Sequence, residues 1–426
     1  MAAVSERSRP EAESSRRDAA VTYGALLSSP GAARLMASAL YARLPLGMAS
    51  LAMLLLVRQS TGSIAAAGIA VGAYALGTGA TAPLQGALVD RHGQLRVLLP
   101  SAALQSSLLV VLALACRAHA PAAVLVAVAA LAGGALPPLS ASARALWPQL
   151  LGDRRRLEAF YGLEAVAQEV IWLAGPLIVA AAVALANAEV AVLLCAVLSL
   201  TGTAVFCTSP ASRAWRPRQA PRGRGGALAS RPLRTMLCSI AMTGCAWGCL
   251  SVGVPALAVQ LGSNGGAGLL LSLVSCGSLL GGLAYGRLNW SLPVERRYPI
   301  LLGGIALCAL PLALAGDLRT AAPLAILLGI GWAPAMSCQY AIVERLAPRG
   351  STTEAFTWNT SAIVAGSAVG SALSGALASS VGAGLAFVSL GGFALAAATI
   401  AALAARPQAS GAPGRSPAPA PTAAGD

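Results

Sequence analysis

The chain has 426 residues, of which 57% are apolar and 10% are charged, and its formal charge is +14. A soluble protein has roughly a quarter of its residues charged, so this composition excludes an ordinary soluble enzyme. Every basic residue other than histidine is arginine, and these arginines stand between apolar runs. Because aromatic residues make up only 4% of the chain, too few to stack on bases, we expect no nucleic-acid partner.

Cysteine and histidine usage limits the chemistry further. The nine cysteines fall almost entirely inside apolar runs, without a CxxC pair or a nearby histidine, and the chain has two histidines. We therefore expect neither a metal site nor a disulfide framework. Because the chain also lacks a nucleophile motif, we expect that the protein is not an enzyme.

A membrane-spanning helix needs about 20 mainly apolar residues, and the chain holds twelve runs of that kind. The runs cover residues 35–57, 64–88, 98–116, 122–143, 159–185, 189–208, 235–260, 266–286, 299–315, 321–342, 355–377 and 383–404. Several are rich in glycine, alanine and serine, which lets helices pack closely in lipid. We predict an all-α integral membrane protein with twelve transmembrane helices.

The arginines indicate how these helices are oriented, because cytoplasmic loops carry an excess of basic residues. With the N-terminus inside, 25 of the 29 arginines fall in inner segments, three fall in outer loops, and Arg43 lies within a span. The N-terminal residues are polar and show no cleavable signal peptide. We predict a multi-pass protein of the plasma membrane with both termini in the cytoplasm.

The composition divides the chain into five parts. Residues 1–33 and 406–426 are predicted as disordered cytoplasmic tails. Residues 34–208 and 235–405 each hold six apolar runs, which predicts two six-helix bundles. The segment 209–234 between them holds seven arginines and no acidic residue, which is typical of a basic cytoplasmic linker. A strip that binds anionic lipid is the alternative for this segment.

Three sequence anchors recur between the two halves at nearly one offset. They pair Gly86–Arg91 with Gly282–Arg287, the set Gly134, Pro137 and Ser140 with Gly331, Pro334 and Ser337, and Glu158–Phe160 with Glu354–Phe356. A repeat of six helices implies two similar bundles that enclose a site at their interface and expose it to each side in turn. The repeat therefore predicts the architecture of a transporter.

The segment Gly86–Arg96, GALVDRHGQLR, resembles the signature of the major facilitator superfamily between helices two and three. The residues that match are Gly86, Asp90, Arg91 and Gly93, with Arg96 following. The resemblance covers about residues 34–405 and implies a twelve-helix transporter. It also implies that this loop braces the two halves on the cytoplasmic side, with Asp90 facing the positive end of helix eleven near Glu354.

Helix five carries part of an exporter signature. Proton-driven exporters of this superfamily often have a glycine-proline pair in helix five, and Gly175-Pro176 resembles it without the flanking glycines. A simple bend in a packed helix is the alternative. A buried arginine in helix four, another exporter feature, is not expected, because the run 122–143 carries no charge.

Few charged residues lie inside the spans, where an ionisable side chain costs about 2.5–3.5 kcal/mol to insert. Arg43 and Glu169 lie at similar predicted depths, ~13 and ~16 Å from the same face at ~1.5 Å per residue. We therefore predict an Arg43–Glu169 pair, with Glu164 closer to the cytoplasm as the proton-binding or substrate-facing acid. A salt bridge that only fixes helix packing is the alternative. Arg144 is expected at the cytoplasmic surface.

A polar and aromatic stripe also follows helix five. Glu164, Gln168 and Trp172 are spaced four residues apart and share one helix face. Such a face suits an amphipathic organic ligand, so these residues are candidates for the cavity lining.

These features favour a secondary active transporter that exports a small organic compound, such as a drug or natural product, in exchange for protons. The proton gradient would supply the energy, and no bound cofactor is expected. The alternatives are uptake of a small solute by proton symport and a non-transporting membrane sensor on the same fold. We expect a monomer in the lipid bilayer.

Overall fold

The computed structural model describes residues 31–404 apart from 152, 216–225, 263–265, 289 and 381. Residues 1–30 of the predicted tail 1–33 and the whole predicted tail 406–426 lie outside these residues, as does the middle of the predicted linker. Regular structure in the described part is helical. The helices of the first half are α1 (Ala32–Thr61), α2 (Ile64–His92), α3 (Gln94–Arg117), α4 (Ala122–Gly134), α5 (Leu139–Arg144), α6 (Trp147–Leu151), α7 (Arg154–Leu185), α8 (Ala188–Cys207) and α9 (Pro210–Ala214).

A short 3₁₀ helix, Gly226–Ala229, precedes the second half. The helices of that half are α10 (Arg231–Gln260), α11 (Gly266–Arg287), α12 (Val294–Leu312), α13 (Leu318–Ile330), α14 (Trp332–Leu346), α15 (Thr352–Ser380) and α16 (Gly384–Ala404). The first helix of this half thus begins within the segment 209–234 that was predicted as linker.

Polar residues fix where several helices begin. Ser63, Asn187 and Asp317 each accept a hydrogen bond from the backbone N–H three residues ahead, at the starts of α2, α8 and α13. These caps replace hydrogen bonds that the first turn of a helix lacks. Hydrogen bonds from Thr320 hold the pKa of the Asp317 carboxyl below its ordinary value. Gly93 ends α2 with a φ of 96°, a conformation that favours glycine.

The helices fit a bilayer in length and in surface. Ten helical stretches of the described residues are long and apolar enough to cross a membrane. The other two predicted spans correspond to α2 and to α12, which begins with Glu295, Arg296 and Arg297 in its first turn. Large apolar side chains within helices, such as Leu76 and Leu307, 68% and 70% exposed, suit contact with lipid. The twelve-helix membrane fold predicted from the sequence is confirmed.

Two of the spans are broken rather than continuous. The fourth consists of α4, α5 and α6, because Pro137 and Pro138 lack N–H donors and interrupt the helix. The tenth consists of α13 and α14, which meet at Gly331. The predicted run 122–143 therefore ended too early, since the fourth span continues to Leu151.

The two halves show the same internal packing. In the first half, α1 packs against α7 and α8, and α2 packs against α4. In the second half the corresponding helices make the corresponding contacts: α10 packs against α15 and α16, and α11 packs against α13. The two halves therefore share one helix arrangement, as the sequence repeat predicted.

The halves meet through two related contacts, α2 with α15 and α7 with α11 and α14. Both contacts extend to the face of the protein that carries Asp90, Glu158 and Glu354, here called the Asp90 face. Both described ends of the segment between the halves pack against the Asp90 face as well. Trp215 and Ala227, one at each end, are buried, and Ala227 donates to Glu354. The described ends of the predicted linker are therefore less solvated than the sequence indicated.

Candidate transport site

A cavity of about 300 Å³ lies between the two halves. Its walls come from α1, α2, α5, α7 and α8 in the first half and from α10, α14 and α15 in the second. The lining is mainly apolar and includes the aromatic residues Trp172, Trp247, Trp332 and Tyr340. Small-molecule sites start at about this volume and are mostly apolar with a few polar groups. The cavity can hold a small organic compound.

Three buried charged residues form a cluster at the wall of this cavity. Arg43 Nη2 lies 2.9 Å from Glu164 Oε1, and Arg144 Nε lies 3.0 Å from the same oxygen. The indole N–H of Trp147 donates to Glu164 Oε2 at 3.1 Å. Arg43 also donates to the backbone carbonyl of Ser140 at 3.4 Å. Two guanidinium groups thus share one carboxylate, which leaves the cluster with one net positive charge.

The predicted Arg43–Glu169 pair is wrong. Arg43 pairs with Glu164, which is fully buried behind the cavity wall. Glu169 lines the cavity and accepts a hydrogen bond from the Ser278 hydroxyl of α11 at 3.0 Å. The roles expected for the two acids are therefore exchanged: Glu164 is the partner of arginine, and Glu169 is the acid that faces the cavity and contacts the other half.

Arg144 is also placed differently from its predicted surface position. It is 3% exposed and borders the cavity, because the fourth span continues as α5 beyond the break at Pro137 and Pro138. Its guanidinium lies over the Tyr340 ring of the second half, 3.7 Å from the ring centre. The fourth span thus holds a buried arginine, contrary to the expectation from the run 122–143.

The predicted stripe on helix five lies only partly in the cavity. Gln168 and Trp172 line it together with Ala165 and Glu169, whereas Glu164 lies in the buried cluster. In the second half, the cavity residue Asn359 belongs to a polar network: Gln339 donates to Asn359 at 2.6 Å, and Tyr298 donates to Gln339 at 3.2 Å. Polar groups therefore border the cavity from both halves.

Asp90 lies at the N-terminus of α15, where the family resemblance placed it. Its Oδ1 accepts the backbone N–H of Thr353 at 3.2 Å, and its Oδ2 accepts that of Glu354 at 2.9 Å. A carboxylate at a helix N-terminus satisfies free N–H donors and interacts favourably with the helix dipole. Asp90 thereby joins the end of α2 to the start of α15 across the two halves.

The other signature residues differ in their surroundings. Gly86 allows the approach of α2 to α15, since a Cβ atom there would lie 2.9 Å from Glu354 Cα. Arg91 and Arg96 are exposed. Gln94 is buried and donates to the Ser142 carbonyl at 3.0 Å. Gln94 therefore braces α3 against α5 within the first half.

Glu354 links the Asp90 contact to the segment between the halves. Its Oε1 accepts the backbone N–H of Ala227 at 3.1 Å, within the 3₁₀ helix. Gly226 has a φ of 56° and lies so close to this carboxylate that a Cβ would meet it. The start of α15 therefore contacts Asp90 through its backbone N–H groups and Ala227 through the Glu354 carboxylate.

Glu158, the repeat counterpart of Glu354, forms an ion cluster that sequence reasoning missed. Arg297 Nη2 lies 2.6 Å from its Oε2, Arg345 contacts its Oε1, and Arg345 also lies 2.6 Å from Glu295. These arginines were interpreted only as markers of the cytoplasmic side. The signal that could have found the cluster is the repeat itself, because Glu158 and Glu354 occupy matching positions at the starts of α7 and α15.

The glycine of the helix-five signature lies at a close helix crossing. A Cβ on Gly175 would lie 2.8 Å from Gly47 Cα in α1, so only glycine permits the observed approach. Pro176 is exposed. The described contacts of Gly175 thus favour the packing alternative, and they leave the exporter interpretation of this pair as a prediction.

Removing the Asp90 carboxylate is expected to weaken the contact between α2 and α15. We expect Asp90→Asn to lower the free energy of unfolding by about 0.5–1 kcal/mol through lost charge at the helix terminus. Asp90→Ala, which also loses the acceptors, should cost about 1–2 kcal/mol. Thermal unfolding of purified protein in detergent checks this order. An Asp90→Ala variant as stable as wild type would contradict the bracing role.

Two repeated six-helix halves around a central cavity are the architecture of secondary transporters. The sequence profile of the Major Facilitator Superfamily matches residues 35–355 and 236–424. The chain belongs to this superfamily. No curated protein that was compared matches the chain significantly.

Solved structures share this fold at low sequence identity. A bacterial homologue of the iron transporter ferroportin in an outward-facing state has a TM-score of 0.65 at 16% identity, over 87% of this chain and 97% of that one. The human organic anion transporter MFSD10 has a TM-score of 0.68 at 17% identity, over 87% and 99%. The E. coli fucose:proton symporter has a TM-score of 0.66 at 13% identity, over 88% and 98%. These similarities concern the fold.

Proposed function

We propose that the protein couples the movement of a small organic compound to the movement of protons, with Glu169 as the proton-binding residue. The observation that carries this proposal is the position of Glu169. It lines the cavity on α7 and accepts a hydrogen bond from Ser278 on α11 of the other half. An acid placed there can respond both to the compound and to the relative position of the halves.

The protonation state of Glu169 changes what it can bind. An ionised carboxylate accepts hydrogen bonds only, whereas a protonated one is also a donor. Gain or loss of a proton therefore alters the charge of the cavity and the bonding between α7 and α11. A single group that affects both compound binding and the contact between halves provides the coupling free energy that secondary transport requires.

The contacts at the Asp90 face favour an outward-facing state. Asp90 and Glu158 tie the halves together there, and Ser361 donates to the Gly79 carbonyl at 2.6 Å nearer the cavity. The arginine distribution supports this face as the cytoplasmic one. We therefore propose a multi-pass protein of the plasma membrane, with the cytoplasmic side of the cavity closed in this structure.

Two directions of coupling remain candidates, and each has its own support. Export in exchange for protons is supported by Arg144, a buried arginine in the fourth span of the kind that proton-driven exporters carry. Co-transport with a proton is supported by the cavity charge. Protonation of Glu169 leaves Arg43, Arg144 and Glu164 with one net positive charge, which attracts a compound of opposite charge.

The proposal is tested by transport driven by a pH gradient in liposomes. Purified protein is reconstituted, the membrane potential is clamped with potassium and valinomycin, and accumulation of three probes is measured under both signs of gradient. The probes are naphthalene-2-sulfonate, naphthalene-2-sulfonamide and 2-naphthyltrimethylammonium. Accumulation with an acidic lumen indicates exchange, and accumulation with an alkaline lumen indicates co-transport.

The expected result is protein-dependent accumulation of at least one probe, which Glu169→Gln abolishes. Glu189→Gln is the matched control, because Glu189 lies in the first turn of α8 outside the cavity lining. It should retain wild-type accumulation. Accumulation that persists in Glu169→Gln would contradict the assignment of Glu169. Accumulation driven by a sodium gradient and indifferent to pH would contradict proton coupling.

A further inference from the structure

The charged cluster at the cavity wall carries more positive than negative charge. Arg43 and Arg144 are 2% and 3% exposed, Glu164 is fully buried, and both arginines line the cavity. One carboxylate can neutralise only one of the two guanidinium groups. A buried charge without a partner is unfavourable, so the second guanidinium calls for a further anion.

Arg43 has donors left over. Within the described residues, no acceptor lies in hydrogen-bonding position for its Nε or its Nη1, although both atoms are buried. Buried donors are usually satisfied by a protein group or by ordered water. The Nε–H and Nη1–H groups point to different sides of the guanidinium, so each can donate one charge-assisted hydrogen bond, which an oxygen of a carboxylate, sulfonate or phosphate can accept.

Neither of the nearby groups removes this excess charge. Glu169 accepts its described hydrogen bond from Ser278, on the opposite half, and forms no ion pair with either arginine within 4.0 Å among the described residues. The Tyr340 ring lies over Arg144. A ring face attracts a cation but carries no net charge. The excess charge therefore lies at the cavity wall, which both arginines line.

The rest of the cavity suits an apolar body. Trp247 and Trp332 contact each other edge to face, with ring centres 5.1 Å apart, and Trp172 borders the cavity from α7. The volume of about 300 Å³ accommodates a molecule of one or two rings. The cavity thus combines aromatic walls with cationic groups at one place.

We propose that the transported compound is a small organic anion, with its acidic group held by Arg43 and Arg144 and its apolar body between the aromatic side chains. This inference rests on the proposed function and names its substrate class. Arg43 belongs to α1 and Arg144 to the fourth span, so a bound anion would contact two helices of the first half. Because Tyr340 lies over Arg144, the same anion would also be linked to the second half.

An anionic compound also selects between the two directions of coupling. Arg43 and Arg144 line the cavity with Glu169, and Glu164 lies behind its wall in contact with both arginines. With ionised Glu169, the four charges sum to zero. Protonation of Glu169 leaves one net positive charge. An anion therefore binds best to the protonated form, and co-transport follows for this substrate class.

The inference is tested by binding, which requires no gradient. Equilibrium dialysis of the full-length protein in detergent measures the dissociation constants of naphthalene-2-sulfonate, its neutral analogue naphthalene-2-sulfonamide, and 2-naphthyltrimethylammonium. We expect the sulfonate to bind about 10–100-fold more tightly than the sulfonamide, the gain typical of hydrogen bonds to a charged group. The cation should bind most weakly.

Two variants locate the preference. Arg43→Gln leaves Arg144 paired with Glu164, and Arg144→Gln leaves Arg43 paired with it, so each variant keeps a neutral buried pair and should fold. Each should reduce the sulfonate-to-sulfonamide preference at least about 10-fold, while sulfonamide binding changes little. Arg319→Gln, at the exposed start of α13, is the matched control and should keep the preference.

The outcomes separate this inference from the proposed function. Equal or tighter binding of the sulfonamide or the cation by wild type would overturn the anion assignment, as would a sulfonate preference that survives both Arg43→Gln and Arg144→Gln. If Glu169-dependent proton coupling in liposomes persists in that case, the proposed function stands and only the substrate class fails. Thermal unfolding of each variant shows whether a lost preference comes only from a loss of fold. The comparison of the three probes on the wild-type protein decides the anion assignment without any variant.

Discussion

Replacing Glu164 with glutamine is expected to lower the free energy of unfolding by about 3–5 kcal/mol, the loss that follows when one partner of a buried ion pair is removed. Glu164 lies 2.9 Å from Arg43 and 3.0 Å from Arg144. Without its charge, two buried guanidinium groups face each other with no carboxylate between them. The measurement is thermal unfolding of the purified protein in detergent.

Two further variants control this result. Glu189→Gln makes the same chemical change outside the cluster and is expected to alter stability by less than about 0.5 kcal/mol. The double variant Arg43→Gln/Glu164→Gln leaves Arg144 over the Tyr340 ring, so it should recover part of the stability that Glu164→Gln loses. A Glu164→Gln variant that unfolds at the wild-type temperature would contradict the role of Glu164 as the common counter-ion.

Replacing Gly86 with leucine is expected to reduce transport of a naphthyl probe in liposomes at least about 10-fold. A Cβ at this position would lie 2.9 Å from the backbone Cα of Glu354, so α2 must move away from α15. Overpacking of this kind costs about 1–3 kcal/mol. Here it destabilises the state in which the Asp90 face is closed relative to the state in which it is open. A transporter that rarely closes this face completes few cycles.

The matched control lies on the same helix. A Cβ on Gly72 would meet nothing within 4 Å, so Gly72→Leu should keep near wild-type transport. Equal transport by Gly86→Leu and Gly72→Leu would contradict the need for close approach of α2 and α15. Thermal unfolding of both variants shows whether the loss in Gly86→Leu reflects impaired closure rather than a failure to fold.

The sequence predicts the helices because apolar runs of sufficient length define spans. The position of Asp90 at the start of α15 was implied by the family resemblance of the segment Gly86–Arg96. The repeat predicts the shared packing of the halves. These features require no knowledge of how a helix is rotated about its axis.

The partner of Arg43 could not be predicted in the same way. Depth along a helix gives a level in the membrane, whereas the choice between Glu164 and Glu169 depends on the rotation of α7 against α1. Gly175 and Gly47 fix that rotation through their close crossing. Glu164 then faces Arg43, and Glu169 faces the cavity and Ser278.

Arg144 was misplaced for another reason. Hydropathy ends the fourth run at the first charged residue, but a span broken by Pro137 and Pro138 continues as a second short helix that carries Arg144 inward. Its charge is compensated there by Glu164 and by the Tyr340 ring. Glu164 and Tyr340 lie in other helices of the chain, so no local sequence pattern around Arg144 predicts these contacts.

The central claim, that compound and proton movement are coupled at Glu169, is tested most directly by the reverse of gradient-driven uptake. Liposomes at equal internal and external pH receive a gradient of naphthalene-2-sulfonate while an internal pH indicator is recorded under voltage clamp. Because coupling is reciprocal, entry of the anion into wild-type liposomes should acidify the lumen, and Glu169→Gln should leave the internal pH unchanged. Anion entry through the wild-type protein without any change of internal pH would contradict the claim.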